Sequence, residues 1–413
     1  MTETENIRRV FVGDFRLDKE EKEAIYEVLE SGRISEGPKV REFEKEFASY
    51  IGTKHAVATS SGTAALITAI TSLIHYPKLQ IKRGTKVITT PLTYISTCNS
   101  IVLSGFEPVF VDVDPVTFGI TPEAIEEQLK KAINPAEYSF ILPVHLIGFP
   151  CDMEGIKKVA DKYGLVLVED SAQAHGSIYD GRRTGSLGLW GIFSFYIAHN
   201  IQAGEMGAIT TDDPEIARLA KKLKTNGRMC DCPVCLRSEG KCPRLTKDDD
   251  EEDFDPRFTH DLIGYNFKVM EFQAALGLSQ VRKADWIVQR RQKNVKYLNE
   301  KLEKFSSILQ LPKYSTEVSY LTYPLIIKDP KVISRKRLRR ELEKRGVETR
   351  PIFGCIPTQQ PAYHYLKEEY KDKLPNADYI GKNGFYIGCH QYLERQDVDY
   401  VVEVFDTILR SEV

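Results

Sequence analysis

Short apolar segments alternate with amphipathic segments through the first half of the chain. The apolar segments are rich in Val and Ile and predict strands: KHAVATS, TKVITT, EPVFVDVD, SFILPVH and LVLVED. The segments between them have apolar residues at helical spacing: SSGTAALITAITSLI, TYISTCNSIVLSG, TPEAIEEQLKKAI and MEGIKKVADKYG. This order predicts an α/β fold in which a parallel or mixed sheet is covered by helices on both faces.

Helical patterns flank this region on both sides. Two precede it, over residues 18–31 and 39–50, and a long one follows it from Phe267 to about Leu302. Beyond that, YLTYPLIIKD predicts a strand, and SRKRLRRELEKRG and VVEVFDTILRS predict helices. A chain of 413 residues exceeds the size at which a single core keeps growing. We therefore expect a large domain over residues 1–290 and a smaller α/β domain over residues 291–413.

Composition narrows the range of partners. The formal net charge is −2 at pH 7, which gives no general attraction to a nucleic acid. The chain has no apolar run of about 18 residues that would span a membrane. The segment MTETENIRRVFVGD lacks the profile of a secretory signal, so we expect a cytoplasmic protein. The acidic run DDDEED at 248–253 is interpreted as a solvated loop in preference to a metal site.

Polar residues follow three of the predicted strands, where sheets of this kind bind their ligands. In SSGTAAL, Gly62 and Thr63 open a helix whose free N–H groups suit a phosphate, although an ordinary helix cap has the same residues. In LVLVEDSAQAHG, Asp170 is either a helix cap or the partner of a protonated ring nitrogen. In GIFSFYIAHNIQAGEMGAITTDD, Ser194 and His199 contribute a hydroxyl and an imidazole between two strands.

In this order, the segments resemble the sugar aminotransferases of the DegT/DnrJ/EryC1/StrS family, which are fold-type-I pyridoxal-phosphate proteins. The matching segments extend over nearly the whole chain: SGRISEGPKVREFEKEFASYIG, SSGTAAL, PLTYISTCNSIVLSGFEPVFVDVDP, VHLIGFPCDMEGI, VEDSAQAHGSIYDGRRTGSLG, FSFY and IGYNFKVMEFQAALGLSQ. The resemblance implies a large domain with a mixed, mostly parallel sheet flanked by helices, plus a smaller C-terminal α/β domain. It also implies an enzyme that acts on a nucleotide-linked ketosugar.

The resemblance assigns a first group of residues to the cofactor phosphate. Gly62, Thr63 and Ser194 would bind it within one chain. Asn266 would reach the phosphate bound by the neighbouring subunit, which implies at least a homodimer.

A second group is assigned to the cofactor ring. Tyr94 would stack on it, Asp170 would bind the pyridine nitrogen, and Gln173 would line it.

The family's aminotransferases have a lysine at the position aligned with His199, and this lysine forms a Schiff base with pyridoxal phosphate. The segment SFYIAHN contains no lysine. Because an imidazole cannot form that bond, we expect pyridoxamine phosphate (PMP) bound without a covalent link, with His199 as a base. This pattern resembles the 3-dehydratases that act on nucleotide-linked 4-keto-6-deoxyhexoses. The alternative is a non-catalytic relative that binds a ketosugar.

Half of the eight cysteines lie in the stretch CDCPVCLRSEGKC, at Cys230, Cys232, Cys235 and Cys242. Four thiolates can bind one iron–sulfur cluster with two or four irons, and structural zinc takes the same ligands, so the spacing alone leaves both open. GRMCDC resembles the start of the cysteine motif in the iron–sulfur branch of the family, which acts on CDP-6-deoxy-4-ketohexose. Together with the missing lysine, this favours an iron–sulfur cluster in the loop 228–260, supplied with electrons by a separate reductase or ferredoxin. Aminotransferase-like or cluster-independent dehydratase chemistry with structural zinc is the alternative.

Other cysteines and one histidine have simpler interpretations. Cys98, Cys355 and Cys389 lie in apolar surroundings and are expected to be buried and inert. His145, in VHLIG, either lines a sugar pocket or is a hydrogen-bonded structural residue.

Overall fold

The computed structural model describes residues 8–230, 232, 241–242 and 255–410. The predicted alternation of strands and helices is present in the first half of the chain. Its strands are β1 (His55–Thr59), β2 (Lys86–Thr89), β3 (Glu107–Phe110), β4 (Tyr138–Leu142), β5 (Val166–Leu167), β6 (Glu169–Asp170), β7 (Ile178–Tyr179), β8 (Arg182–Arg183), β9 (Gly191–Ser194) and β10 (Gly207–Thr211). Its helices are α1 (Lys19–Glu30), α2 (Pro38–Ile51), α3 (Gly62–His75), α4 (Ser96–Leu103), α5 (Pro122–Lys131), α6 (Met153–Tyr163) and α7 (Pro214–Leu223).

Eight of these strands form a mixed, mostly parallel arrangement in two four-stranded parts, as predicted, and β7 and β8 form a separate antiparallel pair. One part has the order β3-β2-β4-β5, in which all neighbours are parallel. The other has the order β1-β10-β9-β6, in which β10 is antiparallel to both neighbours and β6 is parallel to β9. Since β5 and β6 follow each other along the chain, the segment 166–170 connects the two parts and places their carboxyl ends at one edge.

The second half forms a smaller antiparallel sheet with helices. Its strands, in the spatial order β11-β12-β14-β13, are β11 (Leu309–Gln310), β12 (Tyr323–Ile327), β13 (Arg350–Pro351) and β14 (Gly384–Ile387). Its helices are α8 (Glu271–Arg282), α9 (Ala284–Leu302), α10 (Arg335–Lys344), α11 (Ile356–Gln359), α12 (Lys367–Tyr370), α13 (Pro375–Asn383) and α14 (Arg395–Leu409). The predicted strand and the two predicted helices correspond to β12, α10 and α14.

The single long helix predicted from Phe267 to Leu302 is wrong in two respects. Phe267 lies before α8 in non-helical backbone, where its N–H donates to the Lys224 carbonyl at 2.9 Å and its carbonyl accepts from the N–H of Ser60 at 2.9 Å. These long-range bonds replace the ones that a helix would make. The helix is also interrupted at Lys283, which has φ −95° and ψ 0° and separates α8 from α9.

The start of α2 depends on a residue far along the chain. The Glu271 side chain accepts hydrogen bonds from the N–H groups of Gly37 (2.8 Å), Lys39 (2.9 Å) and Val40 (3.0 Å). The first N–H groups of a helix have no partner within it, and a carboxylate there also interacts favourably with the helix dipole. The buried Glu271 therefore joins α8 to α2.

The two halves share packing at their junction. A single apolar cluster contains Ile141 and Phe149 from the first half and Val295 and Leu325 from the second. Val10 forms a parallel bridge with Val347, which brings the beginning of the chain against the smaller sheet. The domain boundary at residue 290 stays a prediction. Among the helices of the described residues, none combines the length and apolarity needed to cross a bilayer.

Candidate active site

A pocket of about 430 Å³ opens beside the carboxyl ends of β6 and β9. It has the size and position expected of a small-molecule site in an open α/β sheet. Most of the predicted binding and catalytic residues line it. They are Gly62, Thr63, Tyr94, Asp170, Gln173, Ser194 and His199.

The start of α3 and the end of β9 meet at the pocket wall. The Ser61 side chain caps α3 by accepting from the N–H of Ala64 at 3.1 Å. A Cβ atom on Gly62 would lie 2.6 Å from the Cβ of Ser194, closer than carbon atoms pack, so the contact requires glycine. It places the Ser194 hydroxyl beside a helix N-terminus, where N–H groups and the helix dipole favour an anion.

Asp170 ends β6 as a buried carboxylate. One oxygen accepts from the Thr97 hydroxyl at 2.8 Å, and the other accepts from the N–H of Ala172 at 3.1 Å. Burial raises the pKa of Asp170, while these two hydrogen bonds oppose the increase. A cationic group in the pocket would stabilise the ionised carboxylate, so the site favours a positively charged partner here.

Gln173 and Tyr94 occupy other parts of the pocket lining. The Gln173 side-chain oxygen accepts from the N–H of Ile147 at 2.9 Å, which fixes the orientation of the buried amide. Tyr94 is exposed, and its ring contacts Phe353 edge-on with a centroid distance of 5.8 Å. An exposed aromatic face at a pocket wall can stack on a planar ligand.

His199 lies in the turn after β9 and is half-buried in the pocket wall. Its backbone N–H donates to the Tyr196 carbonyl at 2.8 Å, and its carbonyl accepts from the Gln202 side chain at 2.9 Å, so both backbone groups hold the turn. Burial lowers the pKa of His199 to about 4, with a further contribution from the positive charge of Arg291, while the Tyr196 carbonyl opposes the shift. The imidazole is therefore neutral at pH 7 and can accept a proton.

Asn266 does not join this group. It is exposed and forms an antiparallel bridge with Thr225 outside the pocket lining. The role assigned to it lies across a subunit interface and stays a prediction.

The predicted metal ligands are only partly described. Cys230, Cys232 and Cys242 are half-buried, while Cys235 lies outside the described residues, as does the acidic run at 248–253. Within the part of the chain that the structure describes, no three His, Cys, Asp or Glu side chains are grouped to hold a metal ion. The cluster, and the loop interpretation of DDDEED, stay predictions.

The open question about His145 has a structural answer. Its Nδ1 accepts from the N–H of Cys151 at 3.1 Å, and its Nε2 lies 3.1 Å from a carboxylate oxygen of Glu169, with the side chain fully buried. His145 is thus a hydrogen-bonded core residue and does not line the pocket. Cys98, Cys355 and Cys389 are buried as predicted.

The sequence patterns missed one wall of the pocket. Arg350, Phe353 and Tyr386 from the smaller sheet and its connections line it, and Thr97 contacts Asp170 from α4. Arg350 also donates to a Glu348 carboxylate oxygen at 3.0 Å. β13 is too short for a periodic pattern, so no local signal pointed to these side chains.

Comparison with known proteins identifies the family. Residues 16–406 match the DegT/DnrJ/EryC1/StrS aminotransferase family. The chain belongs to this family. The predicted family and the fold-type-I class are therefore confirmed for nearly the whole chain.

Curated relatives of this chain include a lipopolysaccharide biosynthesis protein and a sugar dehydratase. Lipopolysaccharide biosynthesis protein RfbH of Salmonella typhimurium is 32% identical over 384 residues, which cover 92% of this chain and 85% of the relative. GDP-4-keto-6-deoxy-D-mannose 3-dehydratase of Escherichia coli O55:H7 is 30% identical over 388 residues, covering 94% and 97%.

Solved structures of the family match with the same breadth. E. coli GDP-4-keto-6-deoxy-D-mannose-3-dehydratase with bound hydrated PLP has a TM-score of 0.83 and 29% identity, covering 97% of this chain and all of that one. PseC of Helicobacter pylori, an aminotransferase of pseudoaminic acid biosynthesis, has a TM-score of 0.83 and 26% identity, covering 98% and 100%. The family fold thus includes dehydratases and aminotransferases, and the site residues must distinguish them.

Proposed function

We propose that this protein is a PMP-dependent 3-dehydratase of a nucleotide-linked 4-keto-6-deoxyhexose. The observation that carries the proposal is His199, which lines the pocket at the position where the family's aminotransferases have a lysine. No lysine lines this pocket within the described ranges. The similarity to GDP-4-keto-6-deoxy-D-mannose 3-dehydratases supports an enzyme that acts on nucleotide sugars.

Lys224 and Lys222 lie outside the pocket lining and are paired with other groups. The buried Lys224 donates to the Ala58 carbonyl at 2.8 Å and pairs with Glu36 at 2.9 Å. Lys222 pairs with Asp261. A covalent link between the cofactor and Lys224 would leave the Ala58 carbonyl and Glu36 without this partner.

The residues present fit a pyridoxal-type cofactor. The close contact of Gly62 with Ser194 provides an anion cradle at the start of α3, with Thr63 beside it, and Asp170 offers a buried carboxylate to a protonated ring nitrogen. Tyr94 would stack on the ring. When bound, PMP supplies a primary amine that condenses with the sugar ketone and a ring that withdraws electrons.

Gln173 and Asn266 complete the proposed binding set. The fixed Gln173 amide would line the ring. Asn266 would complete the phosphate site of a second subunit in a homodimer, which accords with its exposed position.

His199 supplies the base. Its neutral imidazole would accept a proton from the methylene carbon that bears the amine of bound PMP, which is the proton transfer that loss of the C3 hydroxyl, one carbon from the reacting ketone carbon, requires. Because an imidazole cannot form an imine with the pyridoxal aldehyde, it can move a proton without forming a covalent bond. Position 199 thus determines whether the pocket supports dehydration or amine transfer.

We extend the proposal to an iron–sulfur cluster bound by Cys230, Cys232, Cys235 and Cys242, with a separate reductase or ferredoxin as the electron source. Thiolates are the donor set of such clusters. The three described cysteines are half-buried, in contrast to the fully buried core cysteines. Iron and acid-labile sulfide analysis with an electron paramagnetic resonance spectrum of anaerobically purified protein tests this. Stoichiometric zinc without sulfide would contradict it.

The test of the main proposal is turnover of CDP-, GDP-, dTDP- and UDP-linked 4-keto-6-deoxyhexoses with added PMP. Mass spectrometry should detect a product that lacks the C3 oxygen. His199→Asn should abolish product formation and leave equilibrium binding of PMP within about twofold, since a general base contributes about 10²–10⁴-fold. His364→Asn, at an exposed histidine outside the pocket, is the matched control and should be fully active.

Two results would contradict the proposal. Turnover retained in His199→Asn would exclude the imidazole as the base. An aminated sugar formed with glutamate as the amine donor would instead place the protein with the aminotransferases.

A further inference from the structure

A second histidine lies behind His199. His175 is completely buried, and neither of its ring nitrogens has a hydrogen-bond partner among the described residues. Buried polar atoms almost always have partners, so two unpaired nitrogens in one core side chain need an explanation.

Four aromatic rings contact the ring of His175. Its ring contacts Phe47, Phe193 and Phe195 at centroid distances of 6.4, 5.1 and 5.1 Å. The remaining ring contact is with His199, at 6.1 Å and an interplanar angle of 61°. Among these four rings, that of His199 is the one with nitrogen atoms.

His199 also has a ring nitrogen without a hydrogen-bond partner in the described structure. Its Nδ1 is buried and lacks a partner in the described structure, although its ring lines the pocket. A neutral imidazole carries one proton, and the nitrogen that acts as a base must be the one without it. If the pocket-side nitrogen accepts the substrate proton, Nδ1 must carry the hydrogen and needs a buried acceptor.

We propose that His175 is a positioning residue that accepts the Nδ1–H of His199 through a shared water molecule and thereby fixes the basic tautomer. The inference rests on the proposed role of His199. Burial and Arg291 keep His175 neutral, with its pKa well below the ordinary value, so one of its nitrogens is always free to accept. Gln202 Oε1, a further buried atom without a partner on a residue bonded to His199, is a third ligand for that water.

Two other groups compete for the same hydrogen. The Tyr196 carbonyl lies near enough to affect the pKa of His199, and Gln202 Oε1 could accept directly. If either fixes the tautomer alone, removing the nitrogens of His175 changes nothing at His199. The effect of a His175 substitution on the His199 tautomer therefore distinguishes the proposal from these two alternatives.

The test determines which ring nitrogen of His199 carries the hydrogen, and it requires neither cofactor nor turnover. Protein labelled with ¹⁵N-histidine is measured by NMR, with His199 assigned from the His199→Asn spectrum. In the wild type, His199 should carry its hydrogen on Nδ1; a hydrogen on Nε2 would overturn the proposal whether or not any variant folds. In His175→Phe, which keeps the ring shape, the hydrogen should move to Nε2 or be shared. An unchanged tautomer would overturn the proposal.

Kinetics give a second readout. His175→Phe should lower kcat about tenfold or more with KM within about twofold, because binding groups are untouched. His175→Gln, which retains a side-chain acceptor, should restore the tautomer and most of kcat. Equal kcat in His175→Phe and the wild type would also overturn the proposal.

His390→Phe is the matched control. His390 is another buried histidine with both nitrogens unpaired in the described chain, but it lies outside the pocket lining, and its variant should change neither tautomer nor kcat. The two proposals fail separately. Turnover in His199→Asn would refute the base and leave the NMR result standing, whereas an unchanged tautomer in His175→Phe would refute only the positioning role.

Discussion

Replacing Glu169 by Gln tests how the pocket edge is held. One carboxylate oxygen accepts from the N–H groups of Leu187 at 2.6 Å and Gly188 at 2.7 Å, and the other accepts from the N–H of Gly185 at 2.7 Å and faces His145 at 3.1 Å. Glu169 is fully buried. The three backbone N–H groups and the His145 ring therefore share one charged acceptor.

The amide introduced by Glu169→Gln cannot satisfy these donors in either orientation. It has one accepting oxygen, and its NH₂ group must face at least one backbone N–H. His145 cannot adapt, because its Nδ1 already accepts from Cys151 and its hydrogen must stay on Nε2. An unpaired buried donor costs about 1–3 kcal/mol, and hydrogen bonds to a neutral acceptor are weaker than those to a charged one. We expect a total loss of about 3 kcal/mol.

Thermal unfolding measures this loss. With an unfolding entropy of about 2.1 cal/mol/K per residue, a chain of 413 residues has roughly 0.9 kcal/mol/K in total. A loss of about 3 kcal/mol then lowers Tm by about 3 to 4 °C. Calorimetry of wild type, Glu169→Gln and Glu300→Gln, an exposed control, should give this shift only for the first variant. A Tm within about 1 °C of wild type would refute the account of Glu169 as the shared acceptor.

Three further predictions concern the pocket. Gly62→Ala should weaken PMP binding about 5- to 150-fold in a fluorescence titration, because overpacking against Ser194 costs about 1–3 kcal/mol. The control variant Gly13→Ala has open space around its Cβ and should bind PMP as the wild type does. His199→Lys should form a covalent bond with pyridoxal phosphate that borohydride traps at position 199 in a peptide map; absence of label there would contradict the position assigned to this side chain. The His199 ring should titrate near pH 4 by NMR, so that it is neutral from pH 5 to 8 and becomes charged only as the pH falls through about 4; a midpoint near 6.5 would contradict its burial.

The sequence predicted the elements that depend on local pattern. The strand–helix alternation from β1 to β10 was correct because each element has its own periodicity, and Asp170 was correctly placed at a strand end. The family resemblance, and not a local pattern, assigns Gly62 and Ser194 to one site, and the two residues are in contact.

The failures come from contacts between distant segments. Phe267 pairs with Ser60 and Lys224, so its helical surroundings in the sequence were misleading. Arg350 and Tyr386 reach the pocket from short strands of the second sheet, which have no pattern of their own. His175 was available in VEDSAQAHG, a few residues after Asp170, but its proximity to His199 emerges only when β6 and β9 pair.

The two walls of the pocket have a consequence for synthesis. The ribosome completes Gly62, Asp170 and His199 long before it adds Arg350 and Tyr386. A ligand stabilises only a chain that can already bind it. Throughout most of translation, a pyridoxal-type cofactor therefore cannot stabilise the growing chain by binding to it. The sheet that is made first must resist aggregation through its own packing or with the help of chaperones.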